Sequence, residues 1–485
     1  MRPTVRSSRP AAALVALLAV LGAGAAGQPD RPEHVAAATT ARTHAGPTRV
    51  AYDVSLSGDK GGARWTGRES VTFTNTTGGP LREVYLRLWG NAWDGCERPT
   101  PVRVTRVEGG TSRGLSAGCT ALRIDLPGPL AHGARTTVAF DVELTAPRRT
   151  ERFGRDGPYT YLGNALPVLG VHDAQGWHLD RDVGFGESYY TLAAGFRVRL
   201  YHPSDLKVPT TGTAVTVQGD GRNGTGEGGN GTGAGRSGTG EGGNDGDGSA
   251  RSVTTATAHR VRDFAWAAGP FATATTESQG GVRVTTFRPA ATPAPVASST
   301  RRLAAEALDD FGARFGRYPY SEADLVLHQG FGTTPGDMEY PGLVLLNSRA
   351  AGGATVHEMA HQWWYGIVGN DQFDAPWLDE GFAVYAEDLF RGDRRPDCRP
   401  ATGMSRSMGH WAGHEGAWKS AVYKGGSCAL HALEREIGGS AMARLMKDYA
   451  RDHWHGVSTS ASFRRAAQAV TARELGPFWR EHGIR

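Results

Sequence analysis

The sequence predicts an α+β protein: an N-terminal antiparallel β domain, then a mainly helical domain with a small mixed sheet. Two observations carry this. From Arg49 onward, VAYDVSLSG, SVTFTNT, EVYLRLWG, ALRIDLPG and TTVAFDVEL each alternate apolar and polar residues, with Gly, Pro or Asn at the breaks, the pattern of half-buried strands. Past TTFRP (285–289) the period changes. Leu303, Ala307, Leu308, Phe311 and Phe315 recur at three- and four-residue steps, which marks one face of a helix.

The elements follow in order. YYTLAAGFRVRLYHP (189–203) and TAVTVQG (213–219) continue the strands, and SVTTATAHRV (252–261) adds another. Between them, 219–250 holds GTGEGGN twice, at 224–230 and 238–244. Gly and small polar residues bury too little surface to offset ordering entropy, so a disordered loop at a hairpin tip is expected. The β domain is thus assigned to 48–285. In the second part, 286–485, a strand is expected at 323–328, extended segments at 336–347, and helix almost throughout beyond Gly353.

At 485 residues, 39% hydrophobic and 9% aromatic, the chain can bury a sizeable core, which excludes a wholly disordered protein. The 53 Lys and Arg against 49 Asp and Glu give a formal charge of +4. Arg2, Arg6 and Arg9 precede an apolar run at 11–26 that is short for a membrane span and ends in small residues. A charged start, a short apolar core and Ala23 and Ala25 fit an export signal over 1–26. Its removal leaves 50 basic against 49 acidic residues, so neither a nucleic-acid nor a membrane partner is expected. Residues 27–47 read as a flexible linker, and the mature protein as secreted. Four cysteines allow three pairings. The local ones, Cys96 with Cys119 and Cys398 with Cys428, are the simplest in an oxidising compartment.

The chemistry is concentrated in HEMAHQWWYGIVGNDQFDAPWLDEGFAVYAE, 357–387. His357 and His361 stand four apart and share a helix face, so both imidazoles can bind one zinc ion, with Glu358 beside its open side. Asp374 and Pro376 read as the cap and first turn of a second helix. That helix folds back to bring Glu380 as third ligand, leaving the fourth position for water, the mark of a catalytic zinc. Glu387, two turns on, is placed to orient a ligand histidine. Other histidines carry bland readings. His410 and His414 lack a third ligand, His431 sits among apolar helix residues, and Trp363, Trp364 and Trp377 are expected to pack around the metal helices.

H-E-x-x-H, eighteen residues to Glu, and W-L-D-E-G-F-A-x-Y-x-E together resemble the gluzincin zinc aminopeptidases of the aminopeptidase N family. GDMEYPGL (336–343) is similar to that family's G-A-M-E-N-P-G-L, and Tyr423 in VYKGGSCALHALEREIGG resembles its Tyr-x-x-Gly segment opening a helix. The resemblance implies a thermolysin-like catalytic domain, one Zn2+ per chain and peptide substrates. It implies that Glu358 is the general base and Tyr423 the oxyanion donor. It also implies that Glu339 binds the substrate's α-ammonium while Gly336 to Met338 offer backbone hydrogen bonds. A residue of the β domain is expected to help hold the amine, and GESYY (186–190) precedes a strand there without a motif to single one out. Asp337 stands for the family's Ala and Tyr340 for its Asn, so a changed subsite shape is expected. The chain ends with ELGPFWREHGIR, where the catalytic domain is expected to end, and a more open cleft is expected. The alternatives are an endopeptidase with relaxed N-terminus recognition, an epoxide hydrolase, and a catalytically silent peptide-binding scaffold.

Overall fold

The computed structural model describes residues 48–94, 96, 99–149, 152–219, 250–330, 336–349, 351–401 and 403–484. The expected export signal, the linker and all but the ends of the expected Gly-rich loop lie outside the described residues. Thr43–Arg485 forms one compact unit.

Two large sheets dominate the first half, beside a three-stranded sheet (Trp266–Ala268, Tyr159–Leu162, Phe153–Asp156) and a two-stranded hairpin. The larger has seven strands in the order Thr213–Gln218, Arg251–Val261, Ala194–Pro203, Thr48–Gly58, Arg64–Thr74, Arg135–Thr145, Val102–Glu108. The second has four, in the order Val168–Leu169, Leu81–Arg87, Ala121–Leu130, Thr111–Ser116. Alternation does what it predicts. Trp65, Val71 and Phe73 turn inward from one strand, Val138, Phe140, Val142 and Leu144 from its neighbour, and Val84, Leu86 and Ile124 from the second sheet close the core. The pairing is antiparallel except at one place: Thr48–Gly58 runs parallel to Ala194–Pro203, from Ala51 opposite Gly195 to Ser57 opposite Tyr201. Parallel neighbours need a long connection, and here most of the first half supplies it.

The second half is built on a four-stranded mixed sheet, in the order Ala272–Glu277, Arg283–Arg288, Glu322–His328, Leu343–Asn347. The boundary expected at 285/286 falls inside the strand Arg283–Arg288, whose Val284 to Phe287 pair with Ala323 to Val326, and Ala272–Glu277 before it joins the same sheet. Helix α1 (Ala294–Phe315) connects those parallel strands and presents Ala304, Leu308, Phe311 and Phe315 to the core. Glu322–His328 and Leu343–Asn347 are buried along nearly their whole length, as parallel strands covered on both faces must be.

From the last strand the chain turns into α2 (Ala351–Ala360), and α3 (Glu380–Arg391) packs beside it. Helices at Gly426–Ile437, Gly439–Asp452 and Ser460–Ala469 complete the bundle. The indoles of Trp363, Trp364 and Trp377 are wholly buried there. Trp363 donates to the Gly316 carbonyl at 2.9 Å and Trp377 to Ser460 Oγ at 2.9 Å. Both local disulfides form, Cys96–Cys119 and Cys398–Cys428, each with Cα atoms 5.4 Å apart. Among the described residues no helix is long and apolar enough to cross a membrane.

Candidate active site

Three ligand atoms converge where α2 ends and α3 begins. His357 lies on α2, and His361 follows on the same face, its amide donating to the His357 carbonyl at 3.2 Å. The two Nε2 atoms stand 3.1 Å apart, and Glu380 Oε2 lies 3.3 Å from one and 3.4 Å from the other. Donors about 2.0–2.1 Å from a tetrahedral zinc stand about 3.3 Å from one another, so the residues present fit that ion. The outer nitrogens are occupied. His361 Nδ1 faces the Trp364 carbonyl at 3.0 Å, and His357 Nδ1 faces Glu387 Oε2 at 3.5 Å, with Arg391 holding Glu387 at 2.9 Å. With each Nδ1 turned to an acceptor, two Nε2 lone pairs and a carboxylate oxygen share one small space, which a cation relieves.

Glu380 is the first residue of α3, and its cap differs from the expected one. Asp379, not Asp374, accepts from the Glu380 amide at 2.8 Å. A 3-10 turn at Pro376–Leu378, with Ala375 at its cap position and no side-chain cap bond, comes between. The next residue, Gly381, lets α3 touch the Gly426–Ile437 helix backbone to backbone. A Cβ at Gly381 would lie 2.9 Å from the Gly426 Cα. Gly381→Ala is therefore expected to cost about 1–3 kcal/mol, seen as a lower thermal midpoint and as weaker zinc retention, since Glu380 is its neighbour.

The metal ligands open onto a cavity of ≈ 360 Å³ lined by Glu358, Glu339, Gly336, Asp337 and Tyr423, among others. Glu358 is buried, and burial pushes its carboxyl well above the usual range; His361 opposes this, while Glu339 and Asp337 add to it. Tyr423 sits in a π-helical turn, Ser420–Gly425, leading into the next helix, so it precedes that helix in a wider coil than expected. Its ring lies 5.8 Å from that of His357 at 14°, and burial, then the Glu380 charge, holds its hydroxyl protonated.

Gln362, next after His361, binds the metal helix to the 336–343 motif. Its Nε2 donates to the carbonyls of Glu339 and Tyr340 at 3.1 and 3.2 Å, and its Oε1 accepts from the Gly342 amide at 2.9 Å. Two residues of the motif stand off the cavity wall. Met338, expected to offer backbone hydrogen bonds, does not line the cavity: its amide and carbonyl both pair with Leu345, at 2.9 and 2.8 Å, and its side chain is buried in a core cluster. Tyr340 does not shape the cleft either. It reaches into the β-rich half, donating to Asn164 Oδ1 at 2.7 Å over Gly163, where a Cβ would collide with its hydroxyl. Asp337 does face the cleft; it accepts from the Asn347 amide at 2.5 Å, and burial raises its pKa to about 6.

The β-rich half contributes two residues that sequence reasoning left unnamed. Glu187, within GESYY, lines the cavity and is held by Arg152 at 3.1 Å. Burial drives its carboxyl well above the usual range, Arg152 opposes and Glu339 reinforces the rise. A carboxylate ahead of a strand was the only signal. The bland histidine readings stand: His410 and His414 stack 4.4 Å apart outside this cavity, and His431 is buried against Asp388 at 3.1 Å.

Residues 302–482 match the model of the peptidase family M1 domain. Aminopeptidase 2 of Candida albicans is 26% identical over 204 residues, 34% of this chain and 22% of that protein, so the match spans about a fifth of the relative's length. The M1 zinc metallopeptidase from Deinococcus radiodurans superposes with a TM-score of 0.62 at 18% identity, over 91% of this chain and 94% of that one. A mutant of a two-domain M1 zinc metallopeptidase, bound to L-tryptophan, also gives 0.62 at 18%, over 91% and 95%. A mutant of the Deinococcus radiodurans protein, bound to a Tyr-Ser-Ala substrate, gives 0.61 at 19%, over 91% and 95%. These likenesses are of fold, and they extend over both halves of the chain.

Proposed function

We propose that the protein is a secreted, zinc-dependent aminopeptidase, starting from the match of residues 302–482 to the model of the peptidase family M1 domain. One observation carries the reading: the convergence of His357, His361 and Glu380 opens onto the same cavity as Glu358, Tyr423, Glu339 and Glu187.

Zinc held by those three ligands supplies Lewis acidity, polarising a carbonyl and acidifying a water. The chain's own groups do the rest. Glu358, on the cavity wall beside the ligand histidines, accepts the attacking water's proton and passes it to the departing amine. The Tyr423 hydroxyl, kept protonated, donates a hydrogen bond where the carbonyl oxygen gains charge. Glu339 binds the substrate's α-ammonium, assisted by Glu187, and restricts cleavage to the first residue. Gly336 offers backbone groups to the substrate on the same wall. The export-like N-terminus and the two disulfides support secretion.

The test is hydrolysis of a matched peptide pair, one with a free N-terminus and one acetylated, with and without a zinc chelator. Turnover of the free peptide alone, abolished by the chelator, is the expected result. Equal cleavage of both would make the protein an endopeptidase, and zinc binding without any cleavage would make it a scaffold.

A further inference from the structure

His178 is not part of the catalytic cavity's lining; it stands just past the hairpin of His172–Asp173 and Gly176–Trp177. Its ring is nearly buried, and each nitrogen faces a carboxylate. Nε2 is 2.8 Å from Asp173 Oδ2 on its own hairpin, and Nδ1 is 3.0 Å from Asp371 Oδ2. A neutral imidazole has one N–H and one lone pair. Two carboxylate oxygens at ion-pair distance, one facing each nitrogen, therefore favour the doubly protonated, cationic ring.

Asp371 belongs to the loop that joins ligand His361 to ligand Glu380. Its other oxygen accepts from the amides of Phe373 and Asp374, at 3.0 and 3.1 Å, and so sets the loop's turn. Its neighbour Gln372 receives a second tie from the β-rich half, its amide donating to the Tyr189 carbonyl at 3.2 Å. The Gln372 side chain then donates to Asp379 Oδ2 at 2.9 Å, and Asp379 caps Glu380. A continuous chain of contacts thus runs from His178 to the third metal ligand.

We propose that His178 is a positioning residue: a charged clamp that fixes the loop between the metal ligands to the β-rich half, and so holds Glu380 in place for zinc. The inference rests on the reading that His357, His361 and Glu380 hold that ion. The surroundings favour the cation. Asp173 and Asp371 flank the ring, Asp374 lies beside it with Asp180 near Asp374, and Tyr190 packs edge-on at 5.0 Å. Of the neighbouring bases, Arg87 is turned away to the carbonyls of His178 and Asp180, at 2.8 and 2.6 Å, and His172 faces Trp177. The Asp371 bond, against the opposing cost of burial, raises His178 to about 9. A raised histidine gives its full contribution below its ordinary value of about 6.5 and loses it as pH rises through about 9.

The experiment compares zinc dissociation constants of the full chain, wild type against His178→Gln, by competition with a chelator at pH 7.5 and pH 10. The ratio of the two proteins cancels the chelator's and the ion's own pH dependence. His178→Gln is expected to bind about 10-fold more weakly at pH 7.5, with the ratio closing toward one at pH 10. Asp371→Asn should reproduce both values, and it carries the comparison if His178→Gln does not fold. Equal affinities at pH 7.5, or a ratio that does not change with pH, overturn the proposal. A second zinc equivalent lost with His178 overturns it too, since the cluster would then be a metal site. A wild type that binds no zinc at all removes the underlying reading as well, a result distinct from any of these.

Discussion

Glu358→Gln is expected to lower kcat for peptide hydrolysis by about 10²–10⁴-fold while one zinc per chain stays bound. The substitution changes almost nothing but the proton inventory. Gln has the shape of Glu, and the three converging ligand atoms belong to His357, His361 and Glu380. What disappears is a group able to take a proton at one step and return it at the next. Stability should not fall, because burial already disfavours the charged carboxylate that Gln replaces. Metal analysis, a thermal scan and steady-state kinetics on one preparation settle the matter. Loss of zinc together with activity would show a structural role, and activity within tenfold of wild type would remove Glu358 as the base.

The second large effect belongs to Glu339. A hydrogen bond to a charged partner is worth about 1.5–3 kcal/mol, so Glu339→Ala should cut kcat/KM for free-amine peptides by about 10- to 100-fold. The acetylated peptide, which has no ammonium to lose, should be cleaved no worse than before. Discrimination between the two peptides therefore narrows. Glu187 cannot take over fully, since Arg152 already occupies its Oε1 at 3.1 Å. If both peptides slow by the same factor, Glu339 shapes the cavity but does not recognise the amine.

Much of this site was legible in the sequence, because its metal half is local. Four-residue spacing puts His357 and His361 on one helix face, and the loop before Glu380 is just long enough to return a second helix beside the first. The two disulfides followed from proximity in the chain. What escaped was set by partners distant in sequence. Period-two alternation says that Arg283–Arg288 is a strand but not that its neighbour is Glu322–His328. The motif places Met338 beside Glu339, yet only the bridge to Leu345 shows that its backbone is already spent. Tyr340 reads as a change in the cleft until its hydroxyl is seen on Asn164. Glu187 sits more than a hundred residues from the other cavity carboxylates, in a half whose sequence pattern reports sheet faces and nothing of the cleft.

The fixation of Glu339 has a metrical consequence. Its segment is held on one side by the Met338–Leu345 bridge, on another by Gln362 of the metal helix, and at Tyr340 by the β-rich half. On the proposed reading, this bracing holds the ammonium anchor at a set reach from the metal ligands, so a first residue lengthened by a single backbone methylene is expected to be cleaved more slowly than its α-amino acid counterpart. Selectivity for the chain terminus would be enforced by length as much as by charge.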